Sequence, residues 1–214
     1  MCIRDSSETV DSIEVGLKAQ FMDGRATLNL AAFMQEFENF QVLEFTGAQF
    51  QTFNVPKAES NGIEIEGVAA LTDNLTINGG LTILDAKYPD DCATTADALR
   101  VQNLCGFELT NAPGEVGLIG ASWDSPVSDT LKIMLNAQAR YEGDRRTSTQ
   151  GRLVPGTAAA LGTTALNPYD VQESTVKINA RLGIGDLDDQ WSVCLLYTSP
   201  SPRDLSTSRM PSSA

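Results

Sequence analysis

The sequence predicts an all-β fold: an antiparallel transmembrane β-barrel fragment of about eight strands, laid out as a curved open sheet with disordered termini. Three observations predict it. Apolar and polar residues alternate with period two along most of the chain. Short and long connections alternate between the strands. Aromatic residues gather near strand ends, while strand middles are aliphatic.

Each element follows from its own pattern. From Ser12 to Met22, Ile13, Val15, Leu17, Ala19 and Phe21 share one face, and Glu14, Lys18 and Gln20 the other. Asp23-Gly24 is a tight-turn pair. Ala26, Leu28, Leu30, Ala32 and Met34 form the next apolar face, opposed by Thr27, Asn29 and Gln35, with Ala31 and Phe33 breaking the polarity. A polar loop around Thr46-Gly47 follows. Ile63, Ile65 and Ala69 then alternate with Glu64, Glu66 and Val68. Thr72-Asp73-Asn74 turns the chain, and Leu75, Ile77, Leu81 and Ile83 alternate with Thr76, Asn78 and Thr82. Ala93 to Leu99 has the pattern of one short helical turn inside a long loop. Glu115 to Trp123 reads as a strand of ambiguous parity. Leu131, Ile133, Leu135, Ala137, Ala139 and Tyr141 alternate with Lys132, Met134, Asn136, Gln138, Arg140 and Glu142. Gly143 to Asp170 has no clear period. Val176, Ile178, Ala180, Leu182 and Ile184 alternate with Lys177, Asn179 and Arg181, and Trp191-Ser192-Val193 opens a last strand.

The short connections fall near residues 23, 73, 127 and 188, and the long ones near 45, 98 and 157. Long loops therefore share one end of the sheet, an asymmetry of outer-membrane barrels. A soluble β-sandwich would show the same alternation of faces. Aromatic placement separates the two. Large rings belong in the middle of a soluble core, whereas here Phe21, Trp123 and Trp191 lie beside short turns, and Phe33, Phe37, Phe40, Tyr88 and Tyr141 lie toward the long loops. Two aromatic girdles around an aliphatic band fit a lipid-facing surface.

Composition excludes several classes. The formal net charge is −13, which argues against nucleic acid as a partner, since phosphate binding needs a basic footprint. No apolar run approaches the ~20 residues of a membrane-spanning helix. The chain has no histidine, the commonest general base and metal ligand. No nucleophile, base and orienter can be assembled from its motifs, so the chain is read as no enzyme, with no cofactor and no metal. Cys92 and Cys105 flank a polar segment and read as a disulfide closing a loop in an oxidising compartment; two free thiols are the alternative.

The two ends differ from the rest. Residues 1–5 can be encoded ATG TGT ATA AGA GAC, which continues into Ser6. The reverse complement, read one base in, encodes Cys194-Leu195-Leu196-Tyr197-Thr198. One inverted repeat thus serves both ends, and it resembles the transposon mosaic end used in sequencing-library preparation. The expected organisation is adapter over 1–5, a partial β-barrel over 6–193, and disordered adapter over 194–214.

The internal motifs resemble the late barrel of TonB-dependent outer-membrane receptors. IEVGLKAQFMDGRATLNLAAFMQEFENFQ carries Glu14-x-Gly16-x-Lys18, a tight turn and an alternating strand. FNVPKAESNGIEIEG supplies Asn54, Ala58, Gly62, Glu64 and Glu66. LTINGGLTILDAKY ends in Asp85-Ala86, and Asn111-Ala112-Pro113 opens the strand after the next loop. Trp191 sits where the family opens a strand that ends in Asn-Leu-Phe-Asp, lost here. The resemblance covers nearly all of Ser7 to Val193. It implies a plugged barrel of about 22 strands, of which this chain would supply about eight. It also implies a location in the cell outer membrane and contact with its lipid. The implied partners are the plug domain of a longer parent, TonB acting through that plug, and a ferric siderophore or other scarce ligand taken up by energised transport.

Within that frame, Lys18, Glu64, Glu66, Arg140 and Arg181 are candidate lumen or plug contacts; a solvated, mutually paired wall is the plainer alternative. Arg145 and Arg146 could steer an anionic ferric complex, and Tyr88, Phe107 and Tyr169 could stack on a ligand. Two other classes remain in view: a passive porin-like barrel, which would have no plug, and a secreted β-sandwich binding module, which would be soluble without detergent.

Overall fold

The computed structural model describes residues 7–45, 50–90, 104–147 and 171–199. Its long strands are β1 (Thr9–Phe21), β2 (Ala26–Phe45), β3 (Phe50–Ala70), β4 (Leu75–Lys87), β5 (Glu115–Pro126) and β6 (Leu131–Glu142). After a two-residue pair, β7 (Arg145–Arg146) and β8 (Val171–Gln172), come β9 (Thr175–Asp186) and β10 (Ser192–Thr198). Eight strands form one antiparallel sheet in the order β1-β2-β3-β4-β5-β6-β9-β10, and β7 and β8 form a separate ribbon. The sheet is open: among the described residues β1 and β10 each have a neighbour on one side only. The sandwich expectation is set aside, because the long strands lie in one sheet rather than two packed ones.

The register aligns the alternation of every strand. Across β1 to β3, Lys18 faces Asn29, which faces Glu66. From there the same row runs through Gly80 and Leu118 to Arg140 and Lys177. The other set of rows is apolar: Leu17, Leu30, Ile65 and Leu81 lie in register on β1 to β4, and Ala121, Ala137 and Ala180 on β5, β6 and β9. A shift of one residue in any strand would exchange its two faces, so the pattern pins the pairing. The ambiguous strand is settled by its neighbours. In β5, Ile119, Ala121 and Trp123 join the apolar face, and Val116 and Leu118 fall on the polar one, opposite Glu142 and Arg140. Those two apolar intruders are why the sequence alone left its parity open.

The apolar face stays uncovered. Ile13, Val15 and Ile119 retain 71%, 73% and 68% of their full exposure. On β1, β2 and β9 its aliphatic stretch runs over Ile13–Phe21, Ala26–Met34 and Val176–Ile184, the ~9–11 residues that a tilted strand needs to cross a bilayer. Above it a charged row begins: Lys57 bonds Glu36 at 2.7 Å and Glu59 at 3.2 Å, and Lys87 bonds Asp85 at 3.0 Å.

The short turns are built locally. Met22 and Asp23 take φ of 54° and 55°, and Gly24 takes 86°, where a residue without Cβ is unstrained. The β3–β4 and β5–β6 turns share a device. The Thr72 hydroxyl accepts from the amides of Asn74 and Leu75, and the Ser128 hydroxyl accepts from those of Thr130 and Leu131, as short hydroxyl side chains do in turns.

Two expectations need revision. The sequence placed Val193 as the last strand residue, yet β10 continues through Thr198, pairing Cys194–Thr198 with Gly183–Asn179. Backbone pairing is indifferent to the origin of the coding sequence, and Leu195 and Tyr197 continue the alternation. Residues 1–6 and 200–214 lie outside the described residues, as does the short helical turn expected at Ala93 to Leu99. Phe33, expected in an aromatic girdle, faces the polar side, with Glu14 and Gly62 as its register partners. Its ring lies over Gly62, where an added Cβ would stand 2.6 Å from Phe33 Cζ and 2.9 Å from the Ile83 carbonyl oxygen.

Gly62→Ala should therefore force β3 away from both Phe33 and β4, at a cost of about 1–3 kcal/mol. Adding Phe33→Ala should recover only part of the loss, because the Ile83 carbonyl remains. Urea titration of folded barrel measures both; full rescue by Phe33→Ala would contradict the backbone clash.

Candidate functional site

The polar face divides into sectors. On β1 to β3, Glu14, Lys18, Asn29, Glu64 and Glu66 line a shallow cavity of about 400 Å³, with three carboxylates to one cation. On β5, β6 and β9 the balance reverses. Lys132, Arg140, Lys177 and Arg181 share that face with Asp124 and Glu142. Between the sectors β4 contributes Thr76, Asn78, Gly80 and Thr82, all neutral. The candidates Lys18, Glu64, Glu66, Arg140 and Arg181 thus all lie on one face of the sheet, but they are not one cluster. Arg181 donates from Nη2 and Nε to Cys194 Sγ at 2.9 and 3.1 Å.

At the long-loop end the polar face changes character. Asn39 sits at φ 55°, opposite Pro56, which has no amide to donate. The ladder skips this pair and resumes at Phe40 and Val55. Both strands exchange faces there. Phe37 and Phe40, three residues apart, pack edge to face at 5.6 Å. Asn54 Nδ2 donates to the Asn39 carbonyl at 2.7 Å and braces the crossover. Above it, Val42, Phe53, Val55, Ala58, Tyr88 and Leu104 form the buried apolar cluster, with Phe37, Phe40, Cys105 and Leu109 packed against it.

This cluster corrects the reading of Tyr88. Its side chain was expected to be free to stack on a ligand, but the residue is 2% exposed and its ring meets Phe40 at 6.1 Å. Burial pushes its phenol up to about 12, opposed in part by the Arg146 guanidinium. Arg146 also departs from expectation. It is buried, with its guanidinium 4.7 Å from the Phe107 ring centre, a stacked cation–π contact. Its carbonyl accepts from the Asn111 amide at 2.8 Å, so it ties the loop to β7. Cys105 is disulfide-bonded; Cys92, its expected partner, lies outside the described residues, as does Tyr169.

Arg145 and the strand ends below it form the second outer feature. Glu142, buried at 8% exposure, collects Arg140 at 2.8 Å, Lys177 at 3.8 Å and Arg145 at 3.9 Å. Arg145 also donates to Gln172 at 3.1 Å. Glu142 was not singled out from the sequence. The signal was present: a lone acid on the same strand face as Arg140, opposite the start of β9.

The girdle residues separate by end. Phe21 and Trp123 occupy the short-turn end of the apolar face, and Tyr141 the opposite end, level with Gly117 and Val176. Trp191 is half-exposed in the turn before β10. Among the described residues no group of three or more His, Cys, Asp or Glu could hold a metal ion, and no helix is long and apolar enough to cross a membrane, which says nothing of strands.

A family model described as "TonB dependent receptor-like, beta-barrel" matches residues 6–196. Solved structures share the fold. The ferric-catecholate import receptor Fiu from K12 E. coli is 22% identical at TM-score 0.52, covering 82% of this chain and 21% of its own. The siderophore receptor PiuA from Acinetobacter baumannii is 19% identical at 0.55, with 81% and 22% covered. The ferric yersiniabactin uptake receptor FyuA from Yersinia pestis is 13% identical at 0.58, with the same coverage, 81% and 22%. The chain thus spans about a fifth of these receptors. No curated protein sequence matches it.

The two faces make opposite predictions for arginine. Leu135→Arg, on the apolar face, should destabilise the bilayer-folded barrel by about 2–4 kcal/mol. Gln138→Arg, on the polar face, should change stability little; equal losses at both sites would contradict the assignment of faces. The buried phenol gives a pH prediction. Its folded-state value is raised, so the stability it contributes is complete below pH ~10 and is lost as pH climbs through about 12. Absorbance titration near 295 nm should show one tyrosine ionising late, and Tyr88→Phe should remove that phase.

Proposed function

The chain belongs to the TonB-dependent receptor β-barrel family, whose members reside in the outer membrane and are not enzymes, and from that premise we propose that it is a wall segment of a receptor for energised uptake of a ferric siderophore or similar scarce ligand. The observation that carries this reading is the family match over residues 6–196. The two-faced register supports it. One face is apolar over the length of a bilayer crossing, and the other is charged and suited to a filled lumen.

In the parent, the polar wall seats a plug. Lys18, Glu64, Glu66 and Arg181 are the contacts proposed for it, and TonB acts through that plug. The similar structures are named for ferric or siderophore uptake, which favours an iron complex as ligand. Arg145, Phe107 and Tyr169 are its proposed outer contacts, whereas Tyr88 and Arg146 brace the chain around Phe107. Cys92 is the proposed disulfide partner of Cys105. Residues 1–5 and 194–214 remain proposed as translated adapter.

Long-read sequencing of the source DNA through both junctions tests this directly. The receptor reading expects a signal peptide and plug domain upstream, and an Asn-Leu-Phe-Asp strand with a terminal aromatic downstream. A parent with no plug would establish a passive barrel instead. Native DNA encoding the Ser/Pro tail and a stop codon would overturn both the receptor and the adapter readings. Given a plug, deleting the parent gene should lower iron uptake under iron limitation, and unchanged uptake of every ferric complex tried would refute the ligand class.

A further inference from the structure

We propose that Arg140, Arg145 and Lys177 together bind one oxyanion of a carboxylate- or phosphate-bearing ligand entering from the loop side. This rests on the receptor reading above and deepens it by naming the ligand chemistry.

Three cations converge here on one carboxylate, in a chain whose formal charge is −13. Register sets the group: Arg140 lies opposite Lys177, and Glu142 opposite Thr175. Arg140 engages Glu142 Oε1 closely, through Nη2 at 2.8 Å and Nε at 3.0 Å. Lys177 Nζ and Arg145 Nη1 stand 3.8 and 3.9 Å from Oε2, beyond hydrogen-bond reach. Glu142 therefore gathers these two cations without satisfying them. The exposures differ in the right sense. The Glu142 side chain is 11% exposed, and those of Arg140, Lys177 and Arg145 are 49%, 42% and 26%. Among the described residues the acid lies beneath, Arg140 and Lys177 stay half-exposed, and Arg145 is partly covered.

Two of the three positive charges are left uncompensated by Glu142, with guanidinium forks beside an ammonium. That is the donor set which recognises a planar or tetrahedral oxyanion. Glu142 Oε2, the Thr175 hydroxyl and Arg145 Nε are buried here without a hydrogen-bond partner among the described residues. Glu142 acts as a positioning residue, since it holds the cations together against their mutual repulsion. A plug carboxylate would supply the same chemistry. The free ligand is favoured because Arg145 belongs to β7, above the end of the wall, where a ligand arrives first.

The test uses the full-length parent recovered from the flanking DNA, purified in detergent, with inorganic phosphate as the probe. Calorimetric titration is run at constant ionic strength against chloride. Saturable binding is expected, weakened about tenfold or more in Arg140→Gln/Lys177→Gln, and unchanged in Lys132→Gln at the short-turn end of the same face. Lys177→Gln alone, at an exposed side chain, gives the same ranking if the double variant does not fold. No saturable binding, or equal binding by the folded variants, overturns the proposal. Binding that appears only after plug deletion also overturns it, because a plug group then holds the site. Absence of a plug from the parent would instead remove the receptor reading, whatever phosphate does.

Discussion

Backbone hydrogen bonding without water is the constraint on which this structure depends. Inside hydrocarbon, an unpaired amide or carbonyl costs several kcal/mol, so strands can cross only as neighbours in a continuous ladder. The sheet obeys this from β1 to β10. Once the ladder exists, side chains must alternate between its faces, and the environment on each side decides what they are. The aliphatic rows face one solvent and the charged rows another. An apolar face whose large side chains stay about half-exposed is costly in water and matched in lipid. Among the described residues β1 and β10 are each paired on one side only, and such edges accept further strands.

A second constraint operates above the membrane. There water can satisfy the backbone and the strands need not stay two-faced. Asn39 and Pro56 exploit that freedom. A left-handed residue opposite one without an amide turns both strands over together, so Phe40, Val42, Phe53 and Val55 point where Phe37 and Ala58 already point. The outer end of the wall gains the buried apolar cluster, sealed by Tyr88 and Leu104. Arg146 on Phe107 fastens the neighbouring loop to the β7–β8 ribbon. Residues of ligand-binding type in the sequence thus serve here as supports.

The strands and their faces were legible because alternation over nine or more residues is hard to mistake. The turns at Asp23-Gly24 and Thr72-Asp73-Asn74 were legible for the same local reason. The swap at Asn39 was not. It depends on the pairing of two residues seventeen apart, and each is unremarkable alone. Phe33 was misplaced because strand-end aromatics were assigned to a girdle by height, although its parity already set it on the polar face, where it lies over Gly62. Glu142 was passed over because its value comes from Arg140, Arg145 and Lys177, which only the folded register and the β7 ribbon bring to it.

The central claim is that one face of this sheet meets lipid and the other a polar lumen. Single cysteines placed in turn at residues 133 to 140 of β6 test it most directly, in the parent barrel cleared of free cysteines and reconstituted into liposomes. Each is treated with a charged, water-soluble thiol reagent. The account predicts a period-two result, with even positions labelled and odd ones protected until detergent is added. Uniform labelling, or protection of the even set, would contradict it.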